Sequence, residues 1–236
     1  SLCHTPSRNS SSPTVQDIDR SYPLLSLMHT HAVTVMVVNL YFSNPSLLPV
    51  SGFGYLLPRA LPFEQNPEFA LGVVFDSDAI QGQDELDTPE GGTKVTVMLG
   101  GHWWDGWEEF PSSEQGVAMA RTVLARHLGV VEEPAATNVS LQKECIPQYT
   151  VGHYERMGRA HAELAQAFGG RLRVAGNSYT GVGVNDCLRA ARDVARGFVD
   201  DAGAFTTRTG LEGFAQEEVW VRGPVVRRQK PEDLER

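Results

Sequence analysis

Glycines punctuate a segment near the end of the chain, residues 171–197, that has the residue types of a ligand-binding turn. Gly176, Gly181 and Gly183 permit positive φ angles and a close approach of the backbone to a ligand. A helical pattern follows them, and the N-terminus of a helix presents free N–H groups and a positive dipole end to an anion or an electron-rich ligand edge. An ordinary connection between a strand and a helix is the alternative interpretation.

The spacing of these glycines differs from that of the dinucleotide-binding fingerprint. They run G-x4-G-x-G rather than G-x-G-x-x-G, and no strand ending in an acidic residue follows the helix. The segment therefore predicts a closing contact to a nucleotide cofactor and not a primary phosphate loop. Leu172 and Val174 predict a short buried strand before the turn, and Asn185 or Asp186 is the predicted N-cap of the helix after it.

Other groups in the sequence favour binding of a flat apolar ligand over acid–base or metal chemistry. Phe53 lies between two glycines and Met98 lies in a strand-like run, so both offer apolar contacts, with a place in the core as the alternative. The tryptophan-rich run 102–107 can stack on a ligand, sit in a membrane interface belt or form a buried corner. The histidines, such as His31, lack a ligand set with metal-binding spacing, and Cys145 lacks a basic neighbour to activate its thiol. These features predict a protein in which a cofactor carries the chemistry.

Composition narrows the class of protein. The 236 residues are 41% hydrophobic and 21% charged, which are ordinary values for a globular protein. A net charge of −9 leaves no basic excess for a nucleic-acid surface, so we predict no nucleic-acid partner. The three cysteines are widely spaced, which favours a reduced compartment, and no apolar run reaches the roughly 20 residues of a membrane-spanning helix.

Hydrophobic periodicity predicts the elements that position these residues. Runs of β-branched and aromatic residues predict strands over residues 32–42, 48–58, 70–76, 94–100 and 138–142. Helical spacing predicts one helix from Ser112, with a capping box to Gln115, and a second from about residue 152 to residue 168. Several strands followed by alternating helices and strands predict an α/β or α+β fold.

Several long segments, taken together, resemble the protoporphyrinogen oxidases, the FAD-dependent enzymes of haem and chlorophyll synthesis. These segments are VVNLYF, LLPVSGFGYLLPR, FALGVVFDS, GTKVTVMLGGHWWDGW, CIPQYTVGH and VAGNSYTGVGVNDC. They follow the family's order over residues 33–196, whereas the last segment alone indicates only the wider flavin amine-oxidase superfamily. YFSNPSLLP and HWWDGW are most similar to fungal members. The resemblance extends over the C-terminal half of that enzyme, so the family's G-x-G-x-x-G region is expected in the part that this sequence does not match.

The resemblance implies a mixed α/β class with an incomplete FAD/NAD(P)-binding, amine-oxidase-like fold. Residues 21–168 are expected to form part of a substrate-binding domain with a mixed β-sheet. Residues 169–199 are expected to supply the last strand and helix of the FAD-binding domain. We expect a disordered lead-in over residues 1–20 and a weakly ordered tail over residues 200–236.

The resemblance also implies which residues bind cofactor and substrate. Contacts to FAD near the flavin ring, chiefly through backbone groups, are expected from Asn177, Val182, Gly183 and Val184. The lining of the tetrapyrrole pocket is expected from Phe53, Gly54, Leu56 and Met98. A flat macrocycle buries a large apolar area against such side chains. No residue of this half is expected to act as a general base, and no metal is expected.

The family reaction is the oxidation of protoporphyrinogen IX to protoporphyrin IX with O2 as the acceptor and H2O2 as the second product. The resemblance to fungal and animal members implies a monotopic, peripheral protein of the inner mitochondrial membrane, and a homodimer is compatible with it. Three alternatives stay open, namely an inactive fragment, a module that binds porphyrins or a partner subunit, and another flavin amine oxidase that acts on an amine. We expect the isolated chain to bind no stoichiometric FAD.

Overall fold

The strand over residues 32–42 lies in the interior of the sheet, as its composition predicts. In the computed structural model it is β1 (Ala32–Phe42), which pairs antiparallel with a strand on each side. Its β-branched and aromatic side chains pack well against neighbours on a pleated surface. The structure describes residues 24–28, 30–79, 91–202 and 206–215. The predicted lead-in over residues 1–20 lies outside this described part.

Five strands form one sheet. They are β1, β2 (Gly54–Leu56), β3 (Ala70–Val74), β4 (Thr93–Gly100) and β5 (Ala136–Pro147), in the spatial order β2-β3-β4-β1-β5. The five predicted strands are confirmed, but each pairing among the described residues is antiparallel, where a mixed sheet was expected. β2 is shorter than predicted, because Pro49 and Pro58 near the ends of the predicted strand cannot donate to a ladder.

A capped helix covers one face of the sheet. After the single turn α1 (Asp76–Ala79), helix α2 (Ser113–Leu128) begins where the capping box predicts it. The Ser112 hydroxyl accepts from the N–H of Gln115 at 3.3 Å, and the Gln115 side chain accepts from the N–H of Ser112 at 2.8 Å. Gly129 ends the helix with φ +70°, a conformation that glycine adopts without strain.

The core lies between α2 and this face of the sheet. Alternate side chains of β1, from Met36 to Phe42, are at most 2% exposed. Helix and strand are so close that a Cβ on Gly116 would lie 2.3 Å from Sδ of Met36. Val123 and Leu124 of the helix are buried in the same cluster. The opposite face of the sheet, called the open face, therefore presents the alternate set of side chains.

The described residues divide into two compact units. Those of segments 29–151 and 176–187 form the sheet unit, and those of segments 1–28, 152–175 and 188–236 form the helix unit. The helix unit contains α3 (His153–Phe168) and most of α4 (Val184–Asp201), and both helices were predicted. Within the described part of the chain, no helix combines the length and the apolar character needed to cross a bilayer.

The predicted strand at Leu172 and Val174 is wrong. These residues join no sheet in the described chain, and Leu172 is 39% exposed. The N–H of Val174 donates to the carbonyl of Thr209 at 2.8 Å, and a single hydrogen bond of this kind does not make a ladder. Residues 206–215, which lie within the predicted tail, pack in the helix unit, with Leu211 only 1% exposed.

The predicted N-cap of α4 is also wrong. The helix begins at Val184, so Asn185 and Asp186 lie inside its first turn. The carbonyl of Gly183 accepts from the N–H of Cys187 at 3.0 Å, which makes Gly183 the first residue to enter the helical hydrogen-bond pattern. Neither Gly181 nor Gly183 has a positive φ angle, and the Asp186 carboxylate folds back against both glycines from inside the first turn of the helix.

Candidate functional site

A row of side chains crosses the open face from the edge strand β2 to the opposite edge strand β5. Strand register places Leu56 opposite Gly72, Gly72 opposite Met98, Met98 opposite Val37, and Val37 opposite Ser140. Directly opposed residues of antiparallel strands point to the same face and interact as neighbours. We call these five residues the cross-sheet row. Its apolar part, from Leu56 to Val37, spans four adjacent strands.

Two glycines shape the β2 end of this row. A Cβ on Gly72 would lie 2.8 Å from Cδ2 of Leu56, so the leucine side chain lies across this glycine. Gly54 has φ +132°, and a Cβ there would lie 2.1 Å from the carbonyl oxygen of Val73. Only glycine fits both the dihedral angle and the close approach of the two strands.

The predicted substrate-binding residues have different places relative to the row. Leu56 and Met98 belong to it, and Gly54 lies two residues from Leu56, on the same face of β2. Phe53 precedes β2, and its carbonyl accepts from the N–H of Phe75 at 3.0 Å. Leu56 and Phe53 are 78% and 72% exposed, whereas Met98 is half-buried. The open face thus offers accessible apolar surface for a flat ligand.

A cavity of about 360 Å³ adjoins the row at one end of β1 and β4. Its polar lining includes Asn39, Asp76, Lys94, Thr96 and Asn138. The Thr96 hydroxyl lies 2.7 Å from the side-chain oxygens of both Asn39 and Asp76. Sequence reasoning missed this group, because its members come from three strands and the α1 turn, and only the register brings them together. The open face is therefore apolar at its centre and polar at this end.

Residues 176–183, called the glycine turn, are held at the end of β5. The hydroxyl of Tyr149 donates to the carbonyl of Asn177 at 2.6 Å, and the Asn177 amide lies 3.5 Å from the carbonyl of Cys145. Burial raises the pKa of Tyr149, opposed by a hydrogen bond from the backbone of Gly181, so the hydroxyl stays protonated and can donate. Sequence reasoning had not assigned Tyr149 a role, although it lies in one of the segments that carry the resemblance.

The four predicted FAD contacts lie in or next to the glycine turn. Val182 and Val184 are 50% and 75% exposed and flank Gly183 at the start of α4. Exposed apolar side chains at the N-terminal end of a helix fit the edge of a flavin ring. The Asp186 carboxylate lies against Gly181, where a Cβ would be 2.6 Å from its Oδ2, and this negative charge disfavours a phosphate at the same place. The residues present therefore fit the ring of FAD and not its pyrophosphate.

The turn and the cross-sheet row belong to the same unit. Cys145, which contacts the turn, donates through its thiol to the carbonyl of Val33 at 3.7 Å. Val33 is four residues from Val37 along β1, a separation of about 13 Å at roughly 3.3 Å per residue. Val35, which lies between them on β1, is only 3% exposed, so the strand is covered between the row and the turn.

An aromatic corner follows β4 at the same end of the sheet as the turn. Trp104 is buried and stacks on Trp107, with ring centroids 5.8 Å apart, which confirms the buried-corner interpretation for Trp104. Burial, followed by the charge of Arg59, lowers the pKa of His102, which keeps its imidazole neutral near pH 7. Among the described residues, no three metal-binding side chains cluster.

Comparison with solved structures gives the class of the fold. A crystal structure from Exiguobacterium sp. 255-15, named as a candidate protoporphyrinogen oxidase, superposes with a TM-score of 0.60 at 22% identity. The match covers 78% of this chain and 38% of that one. The chain therefore has an α/β fold of the flavin amine-oxidase type, present in part.

Comparison with curated sequences gives a narrower relationship, although no protein-family model matches the chain. Protoporphyrinogen oxidase of Schizosaccharomyces pombe is 38% identical over 171 residues, which are 72% of this chain and 33% of that protein. The Homo sapiens protoporphyrinogen oxidase is 42% identical over 167 residues, 70% of this chain and 33% of the relative. Over about 70% of its length this chain is homologous to the protoporphyrinogen oxidases, and it spans about a third of the length of these relatives.

Proposed function

We propose that this chain supplies the tetrapyrrole-binding sheet and the flavin-facing turn of an FAD-dependent oxidase. The reaction is the oxidation of protoporphyrinogen IX to protoporphyrin IX, with O2 as the acceptor and H2O2 as the second product. One observation carries the proposal, which is that the cross-sheet row and the glycine turn lie in the same compact unit. In this assignment the sheet unit corresponds to the substrate-binding domain together with the turn of the FAD-binding domain.

The open face suits the two kinds of surface that this substrate has. A macrocycle is flat and apolar, and it would lie on the cross-sheet row between Leu56 and Val37. Its carboxylate side chains extend from one edge, and the polar cavity adjoins the row in that direction. Lys94 supplies positive charge there, while Asn39 and Thr96 supply polar groups beside the Asp76 carboxylate. This places the carboxylates at the end of the sheet away from the glycine turn.

The glycine turn would hold the ring edge of FAD. Gly183 lets the ring approach the backbone, and the exposed side chains of Val182 and Val184 cover its apolar surface. Tyr149 fixes the turn through the carbonyl of Asn177, so that the backbone is placed before the cofactor binds. When bound, FAD supplies the redox chemistry by accepting hydride equivalents and passing them to O2. The apolar row excludes water from the face of the macrocycle that it covers.

The cellular location of the protein is a separate proposal. The resemblance to fungal and animal members supports monotopic attachment to the inner mitochondrial membrane. Fractionation of cells that express the tagged native gene product tests it. Recovery with mitochondrial membranes, and release by detergent but not by carbonate, is the expected result. Recovery in a soluble cytosolic fraction would reject this part of the proposal.

A chimera tests the reaction. The segment of the S. pombe relative that this chain matches is replaced by residues of this chain, and the purified product is supplied with protoporphyrinogen IX in air. We expect protoporphyrin fluorescence to appear at a rate well above autoxidation, and flavin absorbance to co-purify with the protein. A second chimera with Met98→Lys places a charge in the centre of the row and is expected to retain flavin but lose turnover.

The amine-oxidase alternative is decided by the same material. A primary aromatic amine replaces the porphyrinogen, and H2O2 release is measured with a coupled peroxidase. Amine turnover without porphyrinogen turnover would reject the proposed substrate. Flavin-loaded chimera that oxidises neither compound would reject an oxidase role for this segment.

A further inference from the structure

A second cavity, of about 500 Å³, lies on the side of β2 that faces away from the open face. Successive side chains of a strand point to opposite faces, so Tyr55 points away from the side on which Leu56 lies. The cavity shares no lining residue with the cross-sheet row or with the polar cavity, and it belongs to the sheet unit. We call it the edge cavity, and its lining residues are Tyr55, Leu57, Leu61, Gln65, His127 and Leu128.

The wall that follows β2 is fixed by its own sequence. Pro58 and Pro62 restrict φ on both sides of Leu61. Asn66 is completely buried, and its side chain donates to the carbonyl of Ala70 at 2.9 Å and accepts from the N–H of Ala70 at 3.0 Å. This segment is therefore anchored to β3, and a ligand in the edge cavity would not have to order the wall that it contacts.

A hydrogen-bonded pair of rings supplies the polar part of the cavity. The Tyr55 hydroxyl lies 2.9 Å from Nδ1 of His127. Burial, opposed by the charge of Arg126, raises the pKa of Tyr55 to about 12, so the phenol is protonated near pH 7. Burial, followed by the charge of Arg126, lowers the pKa of His127, so the imidazole is neutral. A phenol that donates to Nδ1 leaves the imidazole proton on Nε2, where it can be donated to a ligand.

The charges beside this pair neutralise each other. Nη2 of Arg126 lies 2.5 Å from Oε2 of Glu68, and Nη1 lies 3.3 Å from Oε1, so the ion pair is bidentate. None of the six lining residues is ionised near pH 7. A carboxylate or an ammonium group in the edge cavity would lose hydration without gaining an ion pair, which costs free energy. The cavity therefore favours an uncharged ligand.

We propose that the edge cavity binds an uncharged amphiphile that has a carbonyl group and an aliphatic chain. The carbonyl would accept from Nε2 of His127 and from the amide of Gln65. The chain would lie against Leu57, Leu61 and Leu128. A cavity of this size, with an apolar wall and a few polar groups, is typical of small-molecule sites. The proposal does not depend on the proposed reaction, because the edge cavity lies on the other side of the sheet from the cross-sheet row.

Calorimetric titration of the purified chain with monooctanoylglycerol, below the concentration at which it forms micelles, tests this site. Octanoate is the matched probe, since it has the same chain and a carboxylate in place of the ester. We expect saturable binding of one ester molecule per chain, and binding of octanoate about tenfold weaker or less. Equal affinities of the two probes, or no saturable binding of the ester to the folded chain, would overturn the proposal. Protoporphyrin IX should leave the ester affinity unchanged, and displacement of the ester by it would place the ester on the open face and reject the edge cavity.

Two variants locate the bound ester. His127→Phe keeps an aromatic ring at an exposed position of α2 and removes the donor, so it should weaken binding about fivefold, as expected for one hydrogen bond. Leu61→Lys places a charge in the cavity and should weaken binding about tenfold or more. Val151→Lys is the control, because Val151 is exposed and follows β5 at the opposite edge of the sheet, and it should bind the ester like the wild type. Melting followed by circular dichroism shows that each variant is folded. Wild-type affinity in folded H127F, or an equal loss in V151K, would contradict the assigned site.

Discussion

Replacing Leu56 with alanine separates ligand binding from folding. The side chain is 78% exposed and lies across Gly72 on the open face, outside the core. A truncation at so exposed a position changes the free energy of unfolding by no more than about 0.5 kcal/mol. A macrocycle on the cross-sheet row would cover this side chain, so the truncation removes contacts to the ligand.

The size of the binding effect follows from the exposed area. Leucine to alanine removes three carbon atoms, and burial of each contributes about 0.8 kcal/mol. Since 78% of the side chain is open, about 1.9 kcal/mol of this is available to a ligand that covers it. At about 1.4 kcal/mol per tenfold change, L56A should weaken porphyrin binding about 20-fold to 25-fold.

Tryptophan fluorescence quenching by protoporphyrin IX measures this dissociation constant in the purified chain. Val131→Ala is the control, because Val131 is also 78% exposed but lies after α2, away from the open face. We expect V131A to bind porphyrin like the wild type, and urea unfolding to give the same midpoint for all three proteins. A dissociation constant unchanged in L56A, an equal loss in V131A, or a folded wild-type chain that quenches with no saturation would refute the reasoning.

Three further predictions concern the scaffold. Gly54→Ala should lower the free energy of unfolding, measured in urea, by about 1–3 kcal/mol, since the new Cβ would lie 2.1 Å from a backbone oxygen. Gly213→Ala is the control, because a Cβ there meets no atom within 4 Å and should leave the free energy of unfolding unchanged. Burial raises the pKa of Tyr55 from 10.0 to about 12, so the stability that this neutral phenol contributes below pH 10 should be lost between pH 10 and pH 12. Tyr55→Phe should flatten the dependence of unfolding free energy on pH in this range. An unchanged dependence in this variant would contradict Tyr55 as its source. Tyr149→Phe should speed amide exchange in the glycine turn about fivefold or more, because the hydroxyl's hydrogen bonds to Asn177 and Gly181 are lost and each contributes about 1 kcal/mol. Exchange in β1 should stay unchanged, and protection equal to wild type would contradict this role.

Local signals in the sequence predicted the elements well. The capping pair Ser112 and Gln115 located the start of α2, Gly129 located its end, and the β-branched run 32–42 located β1. Each of these depends on residues within one or two turns of one another. The predicted strand at residues 171–174 failed because a strand is a property of its partners, and the hydrogen bond from Val174 to Thr209 does not extend into a ladder.

The candidate site was predicted only residue by residue. The glycines and apolar residues of 53–56 and Met98 could be named from motifs, but their shared face follows from register. Gly72 and Val37 complete the row because they stand opposite Leu56 and Met98, which no local pattern encodes. The contact of Tyr149 with the glycine turn joins residues 28 positions apart and was equally hidden. The roles of these residues in binding FAD and a tetrapyrrole stay predictions.

During synthesis, β1 emerges several seconds before the strand β5 with which it pairs. Val33 of β1 meets Cys145 of β5 across 112 residues, and ribosomes add about 5–20 residues per second, so β1 waits about 6–22 s for this neighbour. Contacts of such long range also slow folding once the chain is complete. The glycine turn can dock only on a finished β5, because its hydrogen bonds come from Cys145 and Tyr149. If the turn holds a flavin ring as proposed, a nascent chain that has not closed its sheet would not capture the cofactor prematurely.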